Sequence, residues 1–338
     1  MNTRLPLAAA LTLASSLSVF ADIKVNDNLT LSGYAAGAYE YQKIKSLPAT
    51  DSIFDGTKDT PSADAVKTNF NFTFKPVTGT VSLYYVPNLK TNELSVLDAF
   101  ATYDVGGGMS VTGGKFLSYL GYEAFDTVNM TQITYAPVTV GTLGAIPAYH
   151  TGVRLDYGDK DVGYGVALVD SVFSNTFSKG DGEFTHNAGF EGFVKYTGAK
   201  DLTLWAGFAY DTKGNATNNP KNSTTVLDFW AEYKLTKEAT VAAEFCSKDG
   251  GDFAKGTTWL AYLNYAFDAK FSGVFRVGGE SLSGKTKTVG NNFTQFTVGP
   301  AVKLTDNLSV RAEYSYYDYS GPTAKDKSLI GLQAIFKF

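Results

Sequence analysis

The sequence predicts an all-β protein, a transmembrane antiparallel β-barrel of about 16 strands. Three observations support this fold class. The chain begins with an apolar leader, a strand–turn–strand unit recurs along its length, and the last strand ends on a phenylalanine.

Composition excludes several other classes of protein. Aromatic residues make up 14% of the 338 residues, and charged residues 18%, below the roughly 25% of an average soluble protein. The net charge of −4 argues against nucleic-acid binding, which usually needs a basic excess. One cysteine and two histidines provide neither a disulfide framework nor a clustered zinc site, so we expect no metal and no cofactor.

The first 21 residues have the layout of a secretory signal peptide. Arg4 gives a positive start, Leu5 to Phe20 are apolar or small, and Val19-Phe20-Ala21 offers a small-residue cleavage site. A membrane anchor is the alternative interpretation, but the apolar stretch is short for a span. We therefore expect the mature chain to begin at Asp22 and residues 22–338 to form one barrel domain.

Residues 303–316 show the recurring unit clearly. After the polar turn at 305–307, apolar and polar residues alternate, which places them on opposite faces of a sheet. The apolar parity holds Leu308, Val310, Ala312, Tyr314 and Tyr316, and the polar parity holds Ser309, Arg311, Glu313 and Ser315.

Short turns alternate with longer connections along the whole chain. The short turns lie near 76–79, 106–108, 158–161, 198–200, 236–238, 268–270 and 305–307. The longer connections are 44–62, 89–92, 119–147, 172–186, 212–223, 249–255, 282–291 and 321–326. These fifteen connections join sixteen strands, and misreading one hairpin would give 14 or 18. Short periplasmic turns, long extracellular loops and an even strand number are typical of outer-membrane barrels.

The strand near 29–43 is expected to pair with the strand near 327–338 and close the barrel, because an open edge would leave unpaired peptide groups in the bilayer. Aromatic residues concentrate at the turn ends of the strands, which fits an interfacial girdle. The terminal Phe338 resembles the C-terminal signature that bacterial outer-membrane assembly machinery recognises. These features predict a protein of the bacterial outer membrane. Its partners would be lipid, lipopolysaccharide and the assembly machinery, with no nucleic acid.

With the apolar parity facing outward, charged residues of both signs face the interior. A sixteen-stranded barrel is too wide for side chains to fill, so a water channel is expected. The candidate pore-lining residues on the strands are His150, Arg154, Asp156, Glu191, Lys195, Arg276, Arg311 and Glu313. The same parity also carries Lys67, Asp228, Glu244, Lys248 and Glu280. The near balance of sign predicts no clear ion preference. For any single residue, a solvated position on the polar face is the alternative interpretation.

The connection 119–147 differs from the others. It is 29 residues long and rather apolar, and Glu123 and Asp126 are its only charged residues. Loops of this length usually have a function. As the third long loop, it resembles in position the inward-folded constriction loop of sixteen-stranded porins, which adds Glu123 and Asp126 to the candidates. Packing against the barrel rim or a subunit interface is the alternative.

Three segments around this loop resemble the β-barrel porin family described as OmpL-like: Gly114-Lys115-Phe116, Gly121-Tyr122-Glu123 and His150-Thr151-Gly152-Val153. The resemblance implies a porin barrel over most of the mature chain. It also implies that Lys115, Glu123 and His150 face the pore or hold the loop. Lys115 falls on the outward parity of its strand, and a bulge at Gly113-Gly114 would be needed to turn it inward.

The function predicted from these features is passive diffusion of small hydrophilic solutes or ions, with no catalytic residues and no reaction. A homotrimer would be the assembly common among porins of this strand number. One alternative is a plugged barrel with a surface-binding or structural role. Another is an outer-membrane hydrolase, which would need a histidine with an oriented partner. His150 and Asp156 lie about 20 Å apart along a strand, too far to pair, and His186 lies in a glycine-rich charged loop.

Overall fold

The computed structural model describes residues 22–53, 65–86, 94–123, 125–139, 141–173, 188–212, 223–251, 254–321 and 325–338. The predicted signal peptide and His186 lie outside these residues. The first strands are β1 (Ile23–Asn26), β2 (Leu29–Ile44), β3 (Ala49–Ile53), β4 (Ala65–Phe74), β5 (Val77–Tyr85), β6 (Leu94–Gly106), β7 (Met109–Leu117), β8 (Tyr149–Gly158) and β9 (Val162–Val169). The remaining strands are β10 (Gly189–Tyr196), β11 (Leu202–Asp211), β12 (Thr224–Lys234), β13 (Ala239–Asp249), β14 (Lys255–Ala266), β15 (Phe271–Leu282), β16 (Asn292–Lys303), β17 (Leu308–Ser320) and β18 (Lys327–Lys337).

Sixteen of these strands, β2 and β4 to β18, form a closed antiparallel barrel. The predicted closing pair is confirmed, because β18 pairs with β2 from Lys327↔Ile44 to Lys337↔Tyr34. The backbone of Phe338 extends this ladder: its carbonyl accepts from the Gly33 N–H at 2.7 Å, and its own N–H donates to the Gly33 carbonyl at 3.0 Å. The two short strands, β1 and β3, pair with the two ends of β2 and were not predicted.

The predicted alternation of short turns and longer connections is also confirmed. We call the barrel end with the short turns the turn end, and the opposite end the loop end. In the turn between β8 and β9, the Asp159 carboxylate accepts the N–H groups of Asp161 and Val162, both at 2.8 Å. These bonds hold the chain in a tight reversal. Between β6 and β7, Gly106, Gly107 and Gly108 have φ values of 90°, 65° and 87°, which only glycine adopts readily.

Helical structure is minor. It consists of a 3-10 turn at Thr127–Asn129 and a short helix, α1 (Thr286–Val289). Within the described part of the chain, no helix has the length and apolar character to cross a membrane.

The outer face of the barrel is apolar. Large hydrophobic side chains on the outward parity are exposed along most strands, and this continuous surface calls for an apolar environment. Exposed aromatic residues lie near both ends of the barrel. Phe74, Tyr103, Tyr196, Tyr233, Tyr265, Phe267 and Phe271 lie near the turn end, as predicted, whereas Tyr41, Phe190 and Tyr210 lie near the loop end. An apolar band edged by aromatic side chains is the outer surface expected of a membrane barrel.

Candidate functional site

The connection between β7 and β8, residues 118–148 and here called L3, lies across the lumen. Its residues make hydrogen bonds or ion pairs with inner side chains of β4, β8, β10, β12, β13, β14, β15 and β17. L3 therefore folds inward, as its position in the sequence indicated.

Five barrel carboxylates hold L3 by its backbone N–H groups. A loop without regular structure must find other partners for its peptide groups, and ionised partners form the stronger bonds. The bonds are Glu191 with Tyr119 (3.2 Å), Asp228 with Gly121 (2.9 Å), Glu244 with Tyr122 (2.9 Å), Glu280 with Thr142 (3.0 Å) and Leu143 (2.8 Å), and Glu313 with Ile133 (2.5 Å) and Thr134 (3.1 Å).

Three barrel cations hold L3 by its backbone carbonyls. The bonds are Arg276 to Thr134 (2.8 Å) and Tyr135 (3.3 Å), Arg311 to Met130 (2.5 Å) and Thr127 (3.2 Å), and Lys248 to Leu143 (3.1 Å) and Gly144 (2.8 Å). The charged side chains that hold L3 therefore belong to the barrel wall, and most of them bind peptide groups of L3 rather than its side chains.

The two charged residues of L3 form ion pairs with the barrel wall. Glu123 pairs with Arg276, and both side chains are almost fully buried. The Glu123 carboxylate also accepts from the Gln132 amide and from the Ala136 N–H, so the buried charge is well compensated. Asp126 lies 2.8 Å from the Lys67 ammonium, which also lies 3.1 Å from Asp98.

Two tyrosine hydroxyls of L3 donate to barrel carboxylates. Tyr119 donates to Asp156 at 2.6 Å, and Tyr122 donates to Glu232 at 2.9 Å. Burial, with these carboxylates nearby, raises the pKa of both phenols, so they remain protonated donors.

Apolar side chains of L3 pack against an apolar part of the inner wall. Phe193, Trp205 and Trp230 stack in sequence across β10, β11 and β12, with ring centroids 6.1 and 5.8 Å apart. Tyr122 meets Trp230 edge-on at 5.4 Å. The same buried cluster contains, from L3, Leu120, Val138 and Leu143 and, from the wall, Ala242, Leu260, Tyr262 and Val274. One side of the lumen is therefore a packed core, with the close contacts of a protein interior.

The wall opposite this core carries a group of uncharged polar side chains. Seven inward side chains on β2 and β4 to β7 form what we call the hydroxyl–amide ladder: Ser32, Asn69, Asn71, Thr80, Ser82, Thr102 and Thr112. Hydrogen bonds of 2.8–3.4 Å link the first five of these residues, and Thr102 and Thr112 bond to each other at 2.8 Å. Toward the loop end of the ladder, the Ser82 hydroxyl donates to Asp98 at 2.8 Å.

Arg154 lies beside Thr112 of this ladder, its cross-strand neighbour on β8. Its guanidinium is 4.8 Å from the centre of the Phe116 ring and 5.5 Å from that of Tyr119, and Nε is 3.2 Å from Asp156. The Arg154 side chain is 23% exposed, whereas the side chains of His150, Asp156, Glu191 and Arg276 are at most 8% exposed.

Most of the predicted candidates lie inside the barrel but are not solvated. Glu191, Arg276, Arg311 and Glu313 are buried beneath L3, whereas Lys195 is partly exposed. His150 is buried 3.3 Å from Glu191, whose other oxygen accepts from the Ser118 hydroxyl at 2.7 Å. His150 thus lies at the root of L3, and its acidic neighbour is Glu191 rather than Asp156.

Lys115 lies on the outer face, and its expected inward orientation is wrong. Gly114 has a φ of 129°, but alternation continues through it: Thr112 and Phe116 are buried inside, and Lys115 lies opposite Thr151 while Phe116 lies opposite His150. Lys115 instead donates to the carbonyl of Val96 at 2.7 Å. The irregularity at Gly114 does not insert the extra residue that would reverse the side chain.

Several residues that hold L3 could not be singled out from the sequence. Lys67, Asp228, Glu244, Lys248 and Glu280 were placed on the inward parity, but parity does not show which of them L3 reaches. The apolar inner residues had a detectable signal, because Trp205, Trp230 and Leu260 lie on inward positions opposite an unusually apolar loop. Among the described residues, no group of three His, Cys, Asp or Glu side chains could hold a metal ion.

Three solved structures with the same fold were compared with the chain. The outer membrane channel DcaP of Acinetobacter baumannii has a TM-score of 0.68 at 12% identity, covering 94% of this chain and 100% of that one. OprB of Pseudomonas putida at high pH gives 0.69 at 11%, covering 92% and 94%. A trimer form of OmpT from Vibrio cholerae gives 0.60 at 14%, covering 92% and 100%. At these identities the likeness concerns the fold alone.

A search of curated proteins finds no match. The family model described as "Putative beta-barrel porin-2, OmpL-like" matches residues 28–338, nearly the whole predicted mature chain. This match agrees with the sixteen-stranded barrel, its apolar outer face and its inward loop. The chain therefore belongs to the OmpL-like β-barrel porin family.

Proposed function

We propose that this porin is a channel for the passive diffusion of small hydrophilic solutes across the bacterial outer membrane. One observation carries the proposal: a long loop lies within a closed sixteen-stranded barrel and leaves one inner wall polar and partly exposed. A polar wall facing a constricting loop provides a hydrated route, because its hydroxyl and amide groups can replace the water that a solute gives up. The proposed transport needs no cofactor and no chemical step.

The proposed location is the outer membrane, after removal of residues 1–21. The apolar outer face and its aromatic band support a bilayer environment, with lipid and lipopolysaccharide around the barrel. Phe338, whose backbone completes the closing ladder, is proposed as the signal for the assembly machinery. We also propose a homotrimer, by analogy with the trimer form of Vibrio cholerae OmpT.

A plugged barrel with a surface-binding or structural role is the second candidate. The extent of the L3 contacts favours it, because L3 bonds to eight strands and buries its apolar residues. The two candidates differ in one property, which is whether the folded barrel conducts.

Planar-bilayer conductance of the purified, detergent-folded protein under a salt gradient tests the proposal. A channel gives stepwise openings, and the near balance of inner charges predicts a small reversal potential. A matched variant, with residues 120–146 replaced by a short glycine–serine linker, shows that the reconstitution works. If this variant conducts and the heat-modifiable native barrel remains silent, the protein is a plugged barrel rather than a channel.

A further inference from the structure

We propose that solutes pass along the hydroxyl–amide ladder on β2 and β4 to β7, and that this path favours uncharged polyhydroxylated molecules, such as small sugars and polyols. The inference rests on the proposed channel function and adds to it the wall that solutes follow and their chemical class.

The exposure of the inner wall to water differs between the two sides of the lumen. From β10 to β15 the inner wall is packed against L3 in a single buried apolar cluster, in which Trp205, Leu260 and Val274 are less than a tenth exposed. On the ladder side, Ser32, Asn69, Asn71, Thr80 and Thr102 remain half-buried, whereas Ser82 and Thr112 are buried. Water and solute therefore reach more of the ladder wall than of the wall opposite it, where Lys195, near the turn end, remains partly exposed.

The chemistry of the ladder suits hydroxylated solutes. Each hydroxyl can donate and accept, and each carboxamide offers two donors and an acceptor. The bonds within the ladder join neutral groups, for example Thr80 to Asn71 at 3.1 Å and Thr102 to Thr112 at 2.8 Å. Such bonds exchange readily with the hydroxyls of a sugar, since a hydrogen bond between neutral groups contributes little net free energy compared with one to water or to a solute hydroxyl.

The charges beside the ladder are paired locally. Lys67 lies between Asp98 and Asp126, at 3.1 and 2.8 Å, and Arg154 lies 3.2 Å from Asp156. Ion selectivity in wide pores depends on rings of charge of one sign. The described residues of this wall alternate in sign instead, so an ion gains little over a neutral solute of the same size.

The ion pairs of Lys67 lie where the proposed path approaches the loop end. They fix the Asp126 region of L3 against β4, directly above Asn69 and Ser82, while Asp126 and Asp98 keep 21% and 14% of their side chains exposed. A solute that leaves the ladder toward the loop end must therefore pass these two carboxylates.

Cysteine scanning tests which wall the path follows. The chain has one cysteine, the buried Cys246, so Cys246→Ala provides a thiol-free background. Thr80→Cys on the ladder is compared with Ala242→Cys and Val274→Cys, and each site lies three residues from the turn-end start of its strand. We expect a water-soluble methanethiosulfonate reagent to modify position 80 and reduce the conductance, and to leave positions 242 and 274 unmodified.

Liposome swelling tests the solute class. We expect an uncharged sugar to enter faster than an acidic or a basic sugar of similar size. Replacing Thr80 and Thr102 together by valine should slow the entry of the neutral sugar and leave small-ion conductance largely unchanged. Thr225→Val, on the exposed outer face of β12, is the matched control and should change neither.

The outcomes separate this inference from the proposed function. If the native barrel conducts but modification blocks it at 242 or 274 and not at 80, the path lies elsewhere and the channel stands. Faster entry of charged sugars would likewise overturn the solute class alone. If the barrel is folded and silent, the channel proposal fails, and thiol reactivity still shows which wall is open to water. Equal reactivity at all three sites overturns the inference.

Discussion

Replacing Arg276 by methionine is expected to release L3 and to lower the stability of the barrel. The Arg276 side chain is fully buried and, besides pairing with Glu123, donates to the Thr134 carbonyl at 2.8 Å, the Thr134 hydroxyl at 3.0 Å and the Thr297 hydroxyl at 3.2 Å. Methionine fills much of the volume but leaves the Glu123 carboxylate without its counter-charge. Breaking a buried pair in this way costs about 3–5 kcal/mol.

A double-mutant cycle isolates the contribution of the pair. Glu123→Gln removes the negative charge, and the combined variant leaves neither charge alone in the interior. We therefore expect the double variant to lose less stability than the sum of the single losses, with a coupling free energy of about 0.5–3 kcal/mol for residues in contact.

Urea unfolding in lipid vesicles, followed by tryptophan fluorescence, measures the loss, because Trp205 and Trp230 lie in the cluster that L3 covers. Chymotrypsin provides a local readout, since Tyr119, Tyr122 and Tyr135 are protected while L3 is docked and become cleavable when it is released. The reasoning is refuted if Arg276→Met costs less than about 1 kcal/mol, the scale of an exposed pair, and L3 still resists cleavage. Should that variant not refold, Thr134→Val keeps the Glu123–Arg276 pair but removes the bonds of the Thr134 hydroxyl to Arg276, Gln295, Glu313 and Ser315, which gives a second test of how L3 is held.

Three further predictions concern the outer face, the closing seam and a turn. Lys115→Met should leave conductance unchanged, because its side chain lies outside the lumen; an altered single-channel current would contradict that placement. Deleting Phe338 removes its two backbone bonds to Gly33 and should lower the yield of heat-modifiable barrel, whereas Phe338→Ala keeps these bonds and isolates the role of the ring. Two backbone N–H groups lower the pKa of Asp159, so its carboxylate stabilises the turn above its ordinary pKa of about 3.9 and loses this effect as the pH falls through the lower native value. Thermal unfolding at about pH 3 and about pH 7 should therefore differ less for Asp159→Asn than for the native chain.

The sequence was sufficient to predict the barrel because strand parity and turn spacing are local properties. The turn at 305–307 and the alternation after it required no tertiary information, and the pairing of β18 with β2 follows from the need to close the sheet. The short strands β1 and β3 were missed because they pair with parts of β2 that β18 and β4 leave open, and this depends on register rather than composition.

The site was only partly predictable. Parity placed Glu191, Arg276 and Glu313 inside the barrel, but a strand pattern cannot show whether an inner charge meets water or a loop. L3 is irregular, so the positions of its peptide groups depend on the whole barrel, and its contact with Glu313 joins residues 180 positions apart. Lys115 was misplaced because the family resemblance implied an inward side chain against the parity of its strand. The bulge that this orientation needs is absent, since the strand pairing continues through Gly114 to Lys115.

The barrel wall holds L3 mainly through the backbone of the loop, and this affects which substitutions L3 can accept. A carboxylate that binds a peptide N–H does not depend on the side chain of that residue. Positions such as Thr142 and Leu143 are therefore held through their N–H groups whatever side chain they carry, provided that it fits. Substitutions should be tolerated more readily along the loop than at the anchoring charges of the wall, so L3 should vary as a surface loop does although it lies inside the barrel. New side chains on L3 could therefore change the solute preference of the pore, while the hydrogen bonds between the barrel wall and the L3 backbone are retained.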